Sequence, residues 1–302
     1  MNLLNLIRWK NLLMIALTQI LIKYALFPAF AIETTLNPLH FFLLILATLC
    51  IAVGGYIINY IYDIETDAIN KPEKVIVGIK IEENTANTLY ILFTFIGVCL
   101  GFYLSHKVGR PPFFGLFVII AAALYVYASY LKQIAVFGNI VISILVASSL
   151  LIVGVFELIP IMTIENKNVQ SIMLKVLTDF AIFAFLINFI REIVNDIQDV
   201  DGDYKAGMQT LPILFGKTRT SKVTMVLTLI TIIIILYYVI TFLYMHTEAI
   251  IYFLITIVGP LIYVVIKLFT AENNMHFKHI SLMLKIVMLF GILSMLLYKL
   301  IL

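Results

Sequence analysis

Long apolar runs constrain the fold of this 302-residue chain more than any other feature. A helix needs roughly 20 apolar residues to cross the hydrocarbon core of a bilayer. Runs of about that length lie at approximately 11–32, 38–62, 86–105, 112–131, 134–159, 173–194, 221–245, 248–270 and 279–301. They are continuously apolar, which favours helices over a barrel of alternating strands. Only 12% of the residues are charged, against about 25% in a soluble domain. The sequence predicts an all-α polytopic membrane protein with about nine transmembrane helices, folded as a single transmembrane domain over residues 1–302.

Basic residues are distributed unequally between the two sides that these spans would create. The N-terminus and the loops after even-numbered spans share one side, which carries most of the cations outside the spans, Arg8 and Lys217 among them. The other side carries chiefly Lys107, Arg110 and Lys167. The positive-inside rule therefore predicts a cytoplasmic N-terminus, in a protein integral to the inner membrane of the cell.

The two longest loops on the predicted cytoplasmic side, roughly 63–85 and 195–220, both open with clustered carboxylates. Their likeness fits an internally duplicated bundle and fits coincidence equally well. In the first cluster, Asn59, Asp63 and Asp67 follow one another at four-residue intervals. Four residues of helix turn through about 400° and advance about 6 Å, so these side chains would form one polar stripe.

A second cluster follows the sixth span, where Asp196, Asp199 and Asp203 recur at intervals of three and four residues. Stacked carboxylates repel one another unless a cation lies among them. Asp and Asn oxygens suit Mg²⁺, which characteristically links one or two carboxylates to substrate phosphates. Two such clusters facing each other would hold two Mg²⁺ ions with a diphosphate between them, and the charge on a departing diphosphate would be neutralised there.

These motifs resemble those of a known family. The Asn-x3-Asp-x3-Asp pattern after the second span, the Asp-x3-Asp pattern after the sixth and the nine spans are together similar to the UbiA superfamily of intramembrane prenyltransferases. Shorter matches are Arg8-x2-Asn11, the run 67–74 and the run 191–212. The resemblance covers essentially the whole chain. It implies helices around a central cavity capped by two acidic loops, and Mg²⁺-dependent transfer of a prenyl group from an isoprenoid diphosphate to a lipophilic or amphiphilic acceptor.

The resemblance also implies metal ligands and catalytic roles for the two clusters. One ion and the diphosphate would be held by Asn59, Asp63 and Asp67. The other ion would be held by Asp199 and Asp203, with Asp196 as a further ligand or as a residue that supports the ligands.

The expected contacts to the diphosphate are polar or basic residues near the same end of the bundle. They are Arg8, Asn11, Lys71, Lys74, Tyr130 and Lys132. One departure from the family concerns Lys74, because Val75 follows it where the family often has a proline.

Two kinds of acceptor stay open. The runs 130–133 and 191–203 are similar to members of the family that prenylate glycerol phosphate ethers. Such an enzyme would transfer a geranylgeranyl group to geranylgeranylglyceryl phosphate. The alternative is an aromatic acceptor of the 4-hydroxybenzoate or naphthoate type, in quinone biosynthesis.

Other classes of protein fit the sequence less well. CDP-alcohol phosphotransferases also carry an Asp-x3-Asp pattern, but their Asp-Gly-x2-Ala-Arg run does not precede Asp63 or Asp199. A non-enzymatic transporter would need acidic groups at mid-bilayer depth, whereas these acids lie at predicted helix ends. The formal net charge of +3 is too small to indicate a nucleic-acid partner. The sequence leaves the oligomeric state open.

Four polar residues inside the predicted spans are costly in lipid and are expected to face the protein interior. They are Gln19, Lys23, Asn139 and Asn188. For Asn188, a hydrogen bond between helices is favoured over a place in the cavity lining. Lys23 fits either a deep interior position or one in which its amine extends to the membrane surface.

Overall fold

Helices account for the architecture of this protein, whose computed structural model describes residues 2–301, without the side chains of residues 2, 74, 300 and 301. Within that part of the chain, nine helices are long and apolar enough to cross a membrane, which confirms the predicted class. In chain order they are α1 (Trp9–Ala29), α2 (Pro38–Tyr62), α3 (Glu83–Lys107), α4 (Pro111–Ser129), α5 (Phe137–Glu157), α6 (Lys167–Lys205), α7 (Lys217–Phe242), α8 (Thr247–Thr270) and α9 (Asn274–Lys299). Residues 2–301 contain no β-strand.

Shorter helical segments lie before, between and within these spans. The short α-helices are Asn2–Leu6, Ile64–Asn70, Leu211–Phe215 and Met295–Ile301, the last overlapping the end of α9. Single 3₁₀ turns occur at Pro72–Lys74, Pro111–Phe113 and Leu131–Gln133. One π-helical turn interrupts α1 at Ile22–Leu26 and another interrupts α8 at Leu254–Val258.

The ends of several helices follow from local side-chain chemistry. Asn37 accepts a hydrogen bond from the backbone N–H of His40 at 2.9 Å and precedes Pro38, so the start of α2 has both an N-cap and a pre-set φ. Asn273 caps α9 in the same way through His276 at 3.0 Å. These caps satisfy N–H groups that would otherwise lack partners at the helix ends.

The junction between α4 and α5 runs over residues 130–136, and the sequence marks it only faintly. A 3₁₀ turn at Leu131–Gln133 separates the two helices, and α5 starts at Phe137. A Cβ atom on Gly138 would lie 2.8 Å from the carbonyl oxygen of Leu131 and from Cα of Lys132. Glycine at this position therefore lets α5 pack directly on the turn that carries Lys132.

Six of the spanning helices form a closed ring of neighbours. Each contacts the next in the order α1, α2, α4, α5, α6 and α9, and α9 contacts α1. Outside this ring, α3 packs on α2 and α4, and α7 and α8 pack on each other and against α6 and α9 respectively. The ring brings together the end of α2, the end of α6 and the start of α1, which are all predicted to lie on the cytoplasmic side.

An ion pair between α1 and α5 lies at the opposite end of these helices from the N-terminus. Lys23, which the sequence left between two positions, is buried and contacts Oε1 of Glu157 at 2.6 Å. Its amine also donates to the carbonyl of Leu36, and Oε2 of Glu157 accepts from the backbone N–H of Leu36 at 2.9 Å. Lys23 is therefore an interior residue paired with an acid that the sequence analysis did not single out.

The structure corrects the extent of the sixth span. The sequence predicted a span at 173–194 and a polar loop at 195–220, but α6 continues without interruption to Lys205. Gly207, with φ of 73°, then ends the helix, and the N–H of Met208 bonds to the carbonyl of Asp203 at 3.0 Å. The second acidic cluster therefore lies on a helix rather than in a loop. Its acids, spaced by three and four residues, share one face of that helix, and residues from other segments bond to their carboxylates.

Candidate active site

One cavity collects the carboxylates that the sequence singled out. It has a volume of about 540 Å³ and lies among the start of α1, the end of α2, the end of α6 and the start of α5. Its lining includes the whole predicted metal-ligand set, namely Asn59, Asp63, Asp67, Asp196, Asp199 and Asp203. Its basic lining residues are Arg8, Lys10, Lys71, Lys132, Arg191 and Lys285.

The predicted diphosphate contacts do not all reach this cavity. Arg8, Asn11, Lys71 and Lys132 line it. The Tyr130 side chain is 61% exposed and is not among the lining residues. The side chain of Lys74 lies outside the described part of the structure.

The first cluster bends where α2 ends. Asp63 has φ of −96° and ψ of 4°, so α2 stops at Tyr62 and a new helix begins at Ile64. The helical hydrogen bonds continue across the bend, since the N–H of Asp63 bonds to Asn59 O at 2.9 Å and the N–H of Asp67 to Asp63 O at 2.8 Å. The three predicted ligands therefore stay on one side of the chain while its direction changes.

The Asp63 carboxylate contacts groups from two elements. Asn59 donates to its Oδ2 from the preceding turn of α2. The amine of Lys132, from the turn between α4 and α5, pairs with its Oδ1. The two contacts hold the carboxylate against the cavity wall.

The second cluster is held by residues from other parts of the chain. Asn139, at the start of α5, donates to Oδ2 of Asp196 at 2.8 Å. Lys71 donates to Oδ2 of Asp199 at 2.6 Å, while Oδ1 of Asp199 is buried and has no hydrogen-bond partner. Asp203 is only 8% exposed. Asn139, which the sequence placed in the interior, is thus a support for a predicted metal ligand.

Asn70 joins the two clusters directly. Its side-chain amide donates to the Asp199 carbonyl and accepts from the N–H of Gly202, each at 2.8 Å. A Cβ atom on Gly202 would lie 2.4 Å from Nδ2 of Asn70 and 2.7 Å from the carbonyl of Thr66. Asn70 lies in the motif at 67–74 and Gly202 in the motif at 191–212, but the sequence alone predicted no role for either residue.

The electrostatics of the cavity favour a cation among its acids. Burial, with the negative charge of Asp63 nearby, raises the pKa of Asp67 to about 6. A bound cation would oppose that shift by stabilising the carboxylate. The unpartnered oxygen of Asp199 is a free acceptor of the hard type that Mg²⁺ prefers.

The donor set fits a divalent ion shared with a ligand. Among the described residues, no three His, Cys, Asp or Glu side chains converge to form a metal cage. Mg²⁺ is commonly bound by one or two carboxylates and completed by phosphate oxygens and water. The residues present suit that second arrangement.

An apolar cavity of about 200 Å³ continues from the acid-lined cavity into the helix ring. Residues of α1, α2, α4, α5, α6 and α9 line it. The residues shared by both cavities are Arg8, Asn11, Asn59, Tyr127, Arg191, Glu192 and Lys285. The polar head of an amphiphile could therefore lie among acids and cations while its chain lies in an apolar space.

A smaller apolar cavity of about 100 Å³ lies deeper, bordered in part by α7 and the π-helical turn of α8. It shares Met14, Ser149 and Met288 with the cavity above it. Asn188 lines the upper apolar cavity and also donates to Oγ of Ser143 at 3.2 Å, which is the contact between helices that the sequence favoured.

Two cations lie at the junction of the polar and apolar cavities, and neither was predicted from the sequence as a site residue. Arg191 was quoted only as part of a motif. Lys285 lies in the interior of the ninth apolar run, and a charge at that place is the sequence signal that could have identified it. Both line the two cavities.

The chain is similar in sequence to known prenyltransferases. The chain matches the UbiA prenyltransferase family over residues 20–297. The digeranylgeranylglyceryl phosphate synthase of Methanosphaera stadtmanae is 30% identical over 260 residues, which cover 83% of this chain and 86% of that protein.

Solved structures share the fold. A structure reported for digeranylgeranylglyceryl phosphate synthase has a TM-score of 0.65 and 25% identity, covering 100% of this chain and 98% of that one. A UbiA homologue from Archaeoglobus fulgidus bound to DMAPP and Mg²⁺ has a TM-score of 0.51 and 15% identity, covering 98% and 99%. At that identity the second likeness shows the fold alone.

Proposed function

Because the chain belongs to the UbiA prenyltransferase family, we propose that it transfers a geranylgeranyl group from geranylgeranyl diphosphate to geranylgeranylglyceryl phosphate. Family membership makes it an integral membrane enzyme that transfers prenyl groups, and it excludes the non-enzymatic transporter. The observation that carries the proposal is a cavity of carboxylates and cations that continues into an apolar cavity. The choice of acceptor is supported by the relative that aligns with 83% of the chain.

The diphosphate head belongs in the acid-lined cavity under this proposal. Two Mg²⁺ ions would be held by the first cluster, Asn59, Asp63 and Asp67, and by Asp199 and Asp203 of the second, with Asp196 in support. When bound, such ions neutralise the charge that develops on a departing diphosphate.

The cations of this chain supply further stabilisation of the diphosphate. Lys71 and Lys132 already lie in the cavity as partners of Asp199 and Asp63. An arriving phosphate would take over part of their hydrogen bonding. Arg8 and Asn11 border the same cavity. The exposed position of Tyr130 does not support a contact to the diphosphate, and the proposal does not depend on Lys74.

The isoprenoid chain belongs in the two apolar cavities. During transfer, the bond between the allylic carbon and the diphosphate oxygen breaks, the acceptor hydroxyl oxygen bonds to that carbon, and the hydroxyl proton is released. Water would compete as a nucleophile, and the apolar side chains of α1, α2, α5 and α9 exclude it from the chain side of the reacting carbon.

The orientation that we propose is supported by the position of the site and by the distribution of cations. The N-terminal residues Leu4 and Asn5 line the acid-lined cavity together with the ends of α2 and α6. We therefore place the N-terminus and both acidic clusters on one side, and the excess of cations there assigns that side to the cytoplasm. All of residues 1–302 would form one prenyltransferase domain.

The test is a set of incubations with purified protein, Mg²⁺ and radiolabelled geranylgeranyl diphosphate. Geranylgeranylglyceryl phosphate, 4-hydroxybenzoate and a naphthoate are offered separately, and the labelled lipid is identified. We expect label on geranylgeranylglyceryl phosphate, and none when a chelator removes the divalent ion. Label on an aromatic acceptor alone would overturn the assignment and leave quinone precursor prenylation in its place.

A further inference from the structure

Lys285 occupies an unusual position for a cation in a membrane-spanning helix. It is partly buried in α9, and its hydrogen-bond partner is the neutral Oδ1 of Asn11 at 2.6 Å. Within the described part of the chain, no carboxylate oxygen lies within the 4.0 Å limit of an ion pair with it. Lys71 and Lys132, on the cavity walls nearer the acids, do have such partners.

Other cations line the same cavity as Lys285. They are Arg8, Lys10 and Arg191. The guanidinium of Arg8 lies over the ring of Tyr60, 4.9 Å from its centroid. Glu192 offsets part of this positive charge through its pair with Arg191, and an anion placed beside Lys285 would relieve the repulsion that remains.

Arg191 adds an unsatisfied donor to this group. Its Nη1 bonds to Glu192 at 3.1 Å, but its Nε is buried and has no hydrogen-bond partner. A buried donor without a partner costs free energy that a ligand can recover. The planar fork of arginine suits phosphate oxygens, and a lysine amine adds a point charge.

We propose that Lys285 and Arg191, with Asn11 positioning the lysine amine, bind the phosphate group of the lipid acceptor. The proposal rests on the proposed function and deepens it. The two cations line both the polar and the upper apolar cavity, so a phosphate held there has apolar space for its lipid chain and the metal-ligand set beside it. The donor diphosphate instead belongs with the carboxylates, where metal ions can link it to the protein.

This subsite makes the phosphate a determinant of specificity. An acceptor without an anionic group would leave the Lys285 charge without a counter-ion and Nε of Arg191 without an acceptor. Sites built to bind a polar group discriminate strongly against analogues that lack it. We therefore expect geranylgeranylglycerol, the same lipid without its phosphate, to be a poor acceptor.

The experiment compares Lys285→Gln and Arg191→Gln with the unaltered protein, and uses Lys278→Gln as the matched control. Lys278 lies on the same helix two turns earlier and is exposed. The first measurement is equilibrium binding of radiolabelled geranylgeranylglyceryl phosphate to purified protein. We expect binding about tenfold to a hundredfold weaker in the two site variants, unchanged binding in the control, and partial recovery in Lys285→Arg.

The second measurement separates the two substrates kinetically. We expect Lys285→Gln to raise KM for the phosphate acceptor by a similar factor and to leave KM for geranylgeranyl diphosphate nearly unchanged. Equal acceptor binding in Lys285→Gln and Lys278→Gln, or a rise confined to the diphosphate, would overturn the subsite. If the unaltered protein binds the acceptor through Lys285 but forms no product from it, the proposed function fails while the subsite stands.

Discussion

The ion pair between Lys23 and Glu157 and the pair between Lys71 and Asp199 have the same 2.6 Å separation, but their surroundings differ. In the first pair the side chains are 6% and 0% exposed, and both carboxylate oxygens of Glu157 have partners. In the second pair the exposures are 33% and 25%, and one oxygen of Asp199 has no partner. The comparison distinguishes a pair whose bonding is complete, which joins helices, from a pair that retains bonding capacity for a ligand.

The strongest test of this difference between the two ion pairs is to neutralise Asp199. We expect Asp199→Asn to lower the rate of prenyl transfer about 10³-fold or more, equivalent to about 4 kcal/mol in activation free energy, because a metal-binding charge is lost. Initial rates at saturating Mg²⁺ measure it. Asp201→Asn is the control, since that side chain is 71% exposed and its oxygen lies as far as 4.0 Å from the amine of Lys217. Equal rates in the two variants would remove Asp199 from the metal-ligand set.

Neutralising Glu157 should have the opposite effect, lowering the stability of the fold while leaving the transfer rate almost unchanged. Removing one partner of a buried pair leaves the other charge uncompensated, so we expect Glu157→Gln to lower the free energy of unfolding by about 3–5 kcal/mol. Thermal unfolding in detergent measures the change as a lower Tm. The rate per folded molecule should stay close to that of the unaltered protein. The double variant Lys23→Met/Glu157→Leu should recover most of the stability, and a normal Tm in Glu157→Gln would contradict the contrast with Asp199.

The contact between the two clusters can be disturbed without altering a charge. In Gly202→Ala the new methyl group would meet Asn70 and Thr66 at distances that no Cβ tolerates. We expect a loss of about 1–3 kcal/mol in stability from this overpacking and a fall in transfer rate, because the clusters separate. Gly115→Ala in α4 is the control, since nothing lies within 4 Å of its added Cβ. A normal rate in Gly202→Ala would show that the spacing of the clusters is not critical.

The smallest expected effect concerns protonation of Asp67. Its pKa in the folded protein is about 6, above the ordinary value of 3.8, so the metal-free fold binds a proton that the unfolded chain releases. The stabilisation is complete below pH 4 and is lost as the pH rises through 6. We expect Asp67→Asn to raise Tm at pH 7 without divalent ions and to have little effect at pH 4. A Tm difference that does not change with pH would contradict this assignment.

Much of this structure was predictable because its main signals are local. Continuous apolar runs located the nine spans, and the four-residue spacing of Asn59, Asp63 and Asp67 located the first polar stripe. The same locality explains the error at α6, since a charged run after an apolar one looks like a loop. What keeps 195–205 helical is bonding from distant residues, such as Asn139 to Asp196.

The unpredicted parts depend on partners far away in the chain. Lys23 and its partner Glu157 are 134 residues apart in the chain, and Asn11 and Lys285 are 274 residues apart. Each of these charges could be seen in the sequence as an isolated polar residue in an apolar run. Only the packing of α1 against α5 and α9 shows which of them meet.

The bonds from Asn70 to Asp199 and Gly202 also have a consequence for biosynthesis. They join residues separated by 129 and 132 positions. At a synthesis rate of about 5–20 residues per second, the first cluster leaves the ribosome on the order of ten seconds before its partner. During that interval the first cluster lacks the second half of the cavity that it helps to line. The acid-lined cavity is therefore completed late in synthesis, after the sixth span has been made.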